Sequence, residues 1–144
     1  MMTACRNFNL RYRIQIATVK QKIKVSIKPH SGSIMNWNNI KNLSGLQFER
    51  WSAGDKYQGE SAEISAEMGA KNLGFHVEIL SPGMFSCPYH FHRHEEELFI
   101  VLDGKAMLRQ NNQYREVTSG DIIHFGLSEE NAHQFYNHTH KDFK

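Results

Sequence analysis

The chain has 144 residues, of which 40% are hydrophobic and 11% aromatic, and its net charge is only +2. This is the size and composition of one folded domain and excludes a disordered chain. The longest unbroken apolar run, Leu98 to Leu102, is far shorter than the roughly 18 residues of a membrane span. The N-terminus lacks the apolar block of a secretory signal, and two cysteines are too few for a disulfide framework. We therefore expect a cytoplasmic protein with no membrane contact.

The positive charge lies towards the N-terminus. Residues 1–72 contain eleven Lys or Arg and five Asp or Glu, whereas residues 73–144 contain six and ten. Apolar and polar residues alternate over residues 11–16 and 22–28, which predicts two strands. We interpret residues 1–33 as a basic extension that holds this strand pair. Few aromatic residues accompany the charges and no helix-turn-helix pattern is visible, so a nucleic-acid partner is not expected.

Residues 34–144 are predicted to form an all-β domain. Residues 34–59 have no clear period and are predicted as a loop in which Trp37 and Trp51 pack on the domain. Beyond them, short strand patterns recur about every 8 to 12 residues, which is typical of an antiparallel sandwich or barrel. The pair Asn111-Asn112 predicts a hairpin turn. The predicted strands are Ala62–Met68, Leu73–Leu80, Met84–His92, Glu96–Leu102, Ala106–Gln110, Gln113–Val117, Ile122–Phe125 and Ala132–Tyr136.

Histidine is the compositional outlier, with nine residues, eight of which follow residue 75. Such enrichment in a small domain favours metal binding. His90 and His92 are two residues apart on a predicted strand, so both imidazoles lie on one face and can reach one metal ion. Glu97 would face an apolar interior from the next strand, where a carboxylate is costly unless a cation balances it. His133, on a later strand, supplies a further imidazole.

The spacing of these residues resembles the first motif of the cupin family. That motif is matched by His90 and His92, four intervening residues, Glu97, six further residues and Gly104. Gly83 lies one residue further from His90 than the motif requires.

A second cupin-like motif begins at Gly120 and ends with His133, three intervening residues and Asn137. Its middle departs from the family pattern, because Gly126 and Ser128 replace a proline and a glycine, and two extra residues precede His133. Together the two motifs extend the resemblance over about residues 73–137.

By this resemblance the fold is an antiparallel jelly-roll β-barrel, and the metal ligands are His90, His92, Glu97 and His133. Three imidazoles and one carboxylate leave open positions on a divalent ion and suit Fe, Mn, Ni or Zn. The resemblance implies a metal-dependent enzyme acting on a small organic molecule, either as a dioxygenase or as a sugar isomerase. A non-catalytic module that binds metal or a small ligand is the alternative, and no catalytic residue is assigned.

The remaining notable side chains receive other interpretations. Phe99 and Phe135 share the inward face with Glu97 and His133, so they line the pocket or pack in the core. Cys87 lies three residues before His90 and so on the opposite face of the predicted strand, and it is predicted to be a buried structural thiol. The residues expected in the core or pocket are His76 and His124, and those expected at the surface are His94, Glu95, Glu96, Arg109, His138 and His140. Arg109 has an alternative interpretation as a group that neutralises an acidic substrate from a neighbouring strand.

The chain ends seven residues after Asn137, where cupin barrels usually continue with another strand. Asp142 to Lys144 are interpreted as the start of such a strand, so we expect an incomplete C-terminal edge. Either the chain is truncated, or the N-terminal strands or a second subunit cover this edge. Because an unpaired edge favours association, a homodimer is our hypothesis.

Overall fold

The structure is a computed structural model that describes residues 37–144. Its regular elements are eight antiparallel strands and two short 3-10 turns, Leu43–Gly45 and Glu129–Asn131. The predicted all-β class is therefore confirmed, whereas the predicted basic extension over residues 1–33 lies outside the described residues. The strands are β1 (Glu49–Ser52), β2 (Gln58–Glu63), β3 (His76–Leu80), β4 (Glu97–Ile100), β5 (Lys105–Gln110), β6 (Gln113–Thr118), β7 (Ile122–Phe125) and β8 (His133–Tyr136). From residue 37 to residue 144, no helix has the length and apolar character needed to cross a membrane.

The strands form three antiparallel sheets. Their orders are β1-β2-β3, β4-β7 and β6-β5-β8. One apolar cluster joins all three sheets, with Leu80 from β3, Phe125 from β7, Leu108 from β5 and Phe135 from β8. Closure of these sheets into a jelly-roll barrel stays a prediction.

The β5-β6 hairpin follows directly from its sequence. Ala106 and Leu108 are buried, and their neighbours in β5 are less so, as the two-residue period of a strand requires. Asn111 and Asn112 connect the strands with φ angles of 46° and 58°. Two consecutive residues with positive φ make a turn whose twist matches that of a hairpin. The hairpin turn predicted at these asparagines is confirmed.

Several predicted boundaries are wrong. The segment 34–59 is not all loop, because it contains β1 and the start of β2. Trp51 packs against the core as predicted. Trp37, in contrast, is 60% exposed rather than packed on the domain. The strand predicted over Ala62–Met68 ends at Glu63, and the chain then turns.

The predicted strand Met84–His92 is replaced by two isolated bridges to β8. Phe85 pairs with Tyr136 and His90 pairs with His133, so four residues on one side oppose two on the other. Pro88 lies in this bulge, and a proline has no amide hydrogen with which to continue a strand ladder. The bulge ends one residue before the first of the predicted metal ligands.

The last residues of the chain pair with earlier segments. Phe143 exchanges two backbone hydrogen bonds with Leu80, of 2.7 and 3.1 Å. The carbonyl oxygen of Lys144 accepts from the amides of Leu102 and Asp103 at 2.8 and 3.1 Å. These contacts place the C-terminal residues beside the end of β3.

The homodimer expected from an incomplete C-terminal edge stays a prediction.

Candidate metal centre

Backbone pairing brings His90 beside His133. The His90 amide donates to the His133 carbonyl at 3.3 Å, and the His133 amide donates to the His90 carbonyl at 2.8 Å. Their ring centroids are consequently 4.8 Å apart. Glu97 enters from the first position of β4, where it pairs with Phe125 of β7. His92 follows His90 by two residues, so three separate segments supply the four side chains.

The reactive atoms of these four side chains converge. The Nε2 atoms of His90 and His92 are 3.0 Å apart. Glu97 Oε2 lies 3.2 Å from His92 Nε2 and 3.0 Å from His133 Nε2. His90, His92 and Glu97 each offer a ligand atom within 4.8 Å of the others, which is a spacing that can hold one metal ion. The structure thus brings together all four side chains that the sequence singled out.

Hydrogen bonds at Nδ1 set the tautomers of two rings. His90 Nδ1 lies 2.9 Å from the Pro88 carbonyl oxygen, and His133 Nδ1 lies 3.0 Å from that of Asn131. A carbonyl oxygen only accepts hydrogen bonds, so each Nδ1 must carry the proton and donate it. In the neutral rings Nε2 is then the unprotonated atom, which is the form that binds metals.

Two buried atoms of the cluster have no hydrogen-bond partner. They are Glu97 Oε2 and His133 Nε2, and they face each other at 3.0 Å without hydrogen-bond geometry. With the His133 proton on Nδ1, this contact places lone pair against lone pair away from water. Unsatisfied buried acceptors are costly, and a cation bound between them would satisfy both. The residues present therefore fit a divalent metal ion.

The protonation states favour the same conclusion. Burial lowers the pKa of His90 below its ordinary value of 6.5, which keeps the ring neutral near pH 7. Burial alone would raise the pKa of Glu97, but a hydrogen bond from the protonated form of His133 and the positive charges of protonated His92, His133 and His90 lower it below 4.5. The cluster thus combines an ionised carboxylate with an imidazole held neutral, which is a donor set that transition metals accept.

Aromatic rings surround the ligand cluster. Phe125, only 2% exposed, stacks on the His133 ring with centroids 3.7 Å apart and planes 6° from parallel. Phe99 contacts the same imidazole edge-on at 5.8 Å, and Phe135 is buried beside both phenyl rings. The sequence predicted Phe99 and Phe135 on the inward face but missed Phe125, because its position depends on the pairing of β7 with β4.

Cys87 does not fit its prediction as a buried structural thiol. Its side chain is only partly buried, and its Sγ lies 3.3 Å from Nδ1 of His90. The prediction assumed that side chains alternate between the two faces of a regular strand. The bulge before His90 interrupts this alternation.

The other singled-out residues lie outside the ligand cluster. Arg109, which is predicted at the surface, is half-buried, and its guanidinium stacks over the Tyr89 ring at 4.0 Å. His124 is exposed and lies 3.7 Å from Glu96, so it is neither a core nor a pocket residue. His76 lines a groove on the first sheet. The residues that are exposed as predicted are His94, Glu96, His138 and His140, whereas Glu95 is half-buried.

The family follows from comparison of the sequence with known protein families. Residues 76–144 match the model of the cupin domain family, and this segment contains the whole ligand cluster. This segment is a cupin domain. The resemblance noted in the two sequence motifs is thereby confirmed. No curated protein matches this cupin.

Solved structures share the cupin fold. A putative sugar phosphate isomerase from Acidithiobacillus ferrooxidans has a TM-score of 0.68 and 23% identity over 74% of this chain and 71% of its own. A sugar phosphate isomerase of the cupin superfamily from Silicibacter pomeroyi has a TM-score of 0.62 and 22% identity over 71% and 69%. A predicted oxalate decarboxylase from Thermotoga maritima has a TM-score of 0.60 and 24% identity over 72% and 91%. At these identities the likeness shows the fold alone.

Proposed function

We propose that this cupin is a metal-dependent enzyme that isomerises a small, oxygen-rich organic molecule. One divalent ion would be held by His90, His92, Glu97 and His133. The observation that carries the proposal is the buried contact between Glu97 Oε2 and His133 Nε2, which are 3.0 Å apart and have no hydrogen-bond partner. Such a contact is expected where a bound cation is part of the folded state.

The chemistry follows from the number and kind of ligands. Four protein ligands leave positions on a divalent ion for substrate oxygens, and the bound ion would act as a Lewis acid on them. Glu97 contributes the negative charge of the ligand set. The phenyl rings of Phe99 and Phe125 exclude water from one side of the cluster, which strengthens electrostatic interactions there.

The choice of isomerisation rests on two further points. Two structural neighbours carry the name sugar phosphate isomerase. The groove on the first sheet also contains an imidazole and two carboxylates, His76, Glu63 and Glu78, which are groups that can transfer protons. A dioxygenase would instead need a redox-active ion and molecular oxygen, and oxygen uptake by the Fe(II)-loaded protein would reveal it.

Metal content is the first test. The full chain would be purified without a chelating resin and its metals measured by mass spectrometry. We expect about one divalent ion per chain in the wild type and in His94→Ala, whose side chain is exposed next to the cluster. His92→Ala should lose the ion. A full equivalent of metal in His92→Ala would overturn the assignment of the site.

Activity is the second test, on protein reloaded separately with Fe(II), Mn(II), Ni(II) or Zn(II). Interconversion of aldoses and ketoses, followed by NMR, is the expected result and should be absent in His92→Ala. Oxygen uptake with phenols, thiols or diketones in the Fe(II) form would replace the isomerase proposal with a dioxygenase. Stoichiometric metal binding without either reaction would favour a non-catalytic binding module.

A further inference from the structure

A groove lies on the first sheet, separate from the four proposed metal ligands. Its volume is about 300 Å³ and it opens to solvent. None of its lining residues is a lysine or an arginine. They are Trp51, Ser61, Glu63, His76, Glu78 and Ser86.

Strand pairing creates a block of four polar side chains in this groove. Ser61 and Glu63 alternate along β2, and His76 and Glu78 alternate along β3, so each pair points to one face. Across the strands, Glu63 pairs with His76 and Ser61 pairs with Glu78. The groove therefore presents acceptors and donors side by side.

An aromatic ring completes the groove. Trp51 pairs with Gly59 of β2, and a Cβ on that glycine would lie 2.9 Å from the indole. The indole can cross over β2 only because Gly59 has no side chain. Trp51 also packs against the apolar core, which fixes its position next to the polar block.

An imidazole and a carboxylate lie side by side in the groove. His76 Nε2 lies 3.8 Å from Glu78 Oε2. The Glu78 carboxylate raises the pKa of the exposed His76 side chain above 6.5, and the charges of Glu63 and Glu97 contribute. Ser86, which also lines the groove, belongs to the segment that leads into His90.

These features distinguish between classes of ligand. Glu63 and Glu78 repel an anion such as a phosphate ester, and the groove has no lysine or arginine to offset them. A hydroxyl group can donate to a carboxylate and accept from an imidazole N–H or a serine, and the apolar face of a sugar ring can pack on an indole.

We propose that this groove binds the uncharged, polyhydroxylated part of a substrate and selects against phosphorylated substrates. The proposal rests on the proposed function and deepens it by naming the substrate class. It also distinguishes this chain from its neighbours that are named for sugar phosphates.

Binding would be measured on the metal-loaded full chain by saturation-transfer NMR and calorimetry, with glucose, xylose, sorbitol and glucose 6-phosphate as probes. We expect at least one uncharged probe to bind about tenfold more tightly than the phosphate ester, since a hydrogen bond to a charged group contributes about 1.5 to 3 kcal/mol and about 1.4 kcal/mol is tenfold in affinity. Equal or tighter binding of glucose 6-phosphate, or no binding of any uncharged probe, would overturn the proposal.

Two variants with a matched control locate the binding. Glu78→Gln and Glu63→Gln should weaken binding of the uncharged probe about tenfold each. Glu60→Gln should leave it unchanged, because Glu60 lies on the opposite face of β2 from Glu63 and pairs with Arg50. Equal effects in all three variants would contradict the assignment of the groove.

Metal content measured on the same samples separates the two proposals. Metal-free wild type would contradict the proposed metal enzyme, whereas metal-loaded protein whose groove binds no uncharged probe would contradict the groove proposal alone. All three variants should retain the full metal content, because none of these carboxylates is a proposed ligand. Circular dichroism confirms that each variant is folded.

Discussion

The imidazole of His133 lies flat on the phenyl ring of Phe125, with centroids 3.7 Å apart and planes only 6° from parallel. The same phenylalanine pairs through its backbone with Glu97. One residue of β7 therefore positions two proposed ligands that are 36 residues apart in the sequence. Ligand orientation by neighbouring groups commonly changes metal affinity by about 10- to 100-fold.

Replacing Phe125 tests this positioning role. Phe125→Leu removes the flat surface under His133 while keeping an apolar side chain. We expect metal affinity to fall about tenfold, measured by competition with a chromophoric chelator. Phe135→Leu is the matched control, because Phe135 is equally buried but contacts His133 edge-on at 6.5 Å. Equal losses of affinity in the two variants would show that core packing in general, and not the stacked ring, controls binding.

Metal binding should stabilise the fold through Glu97. Metal at 100 times its Kd stabilises the native state by about 2.7 kcal/mol, which for a chain of this size raises Tm by roughly 10 °C. Glu97→Gln should lose most of this increase, whereas Glu96→Gln, which changes an exposed neighbour, should keep it. Calorimetry with and without metal gives the comparison. An undiminished increase in Glu97→Gln would exclude this carboxylate as a ligand.

Asn137 connects the end of β8 to two other segments. Its side chain is fully buried, and Nδ2 donates to the carbonyl oxygens of Leu80 and Lys141, both at 2.8 Å. Its Oδ1 accepts from the amide and hydroxyl of Thr139 at 3.0 and 2.8 Å. Asn137→Ala leaves these partners unsatisfied and should lower the free energy of unfolding by about 3 kcal/mol, as urea denaturation would measure. Thr139→Ala should cost only about 1 kcal/mol, and a similar cost for both variants would contradict this account.

Gly59 is the position where a single methyl group should disturb the groove. A Cβ there would lie 2.5 Å from the Ile79 carbonyl oxygen and 2.9 Å from the Trp51 indole. Gly59→Ala should therefore destabilise the fold by about 1 to 3 kcal/mol and shift the tryptophan fluorescence. Gly74→Ala is the control, because a methyl group at that position would have no atom within 4 Å beyond its chain neighbours. Unchanged fluorescence and stability in Gly59→Ala would show that Trp51 does not rest on this glycine.

Local patterns predicted much of the fold. The asparagine pair predicted the β5-β6 hairpin, and the short strand predicted over Ile122–Phe125 is β7 with the same bounds. The His and Glu spacing singled out four side chains that the structure brings together. In each case the signal lies within a few consecutive residues, where turn geometry or strand alternation acts directly.

Features that depend on distant pairing could not be predicted. The bulge before His90 arises because Pro88 interrupts pairing with β8, so alternation alone placed Cys87 on the wrong face. β1 is short and mostly exposed, which leaves little apolar signal. The groove requires the register between β2 and β3, and the ring under His133 requires that between β4 and β7. Strand register is set by tertiary contacts that a single sequence does not display.

The ion pair in the groove gives a prediction with a defined pH dependence. The Glu78 carboxylate raises the pKa of His76 above 6.5, so Glu78→Gln should lower the His76 titration midpoint observed by NMR, whereas Glu60→Gln should not. A histidine whose pKa is raised by folding stabilises the native state fully below its unfolded pKa, and this stabilisation disappears as the pH rises through the folded pKa. The stability difference between wild type and Glu78→Gln should therefore be largest below pH 6.5 and should shrink at higher pH. A difference that grew with pH would contradict the pairing of His76 with Glu78.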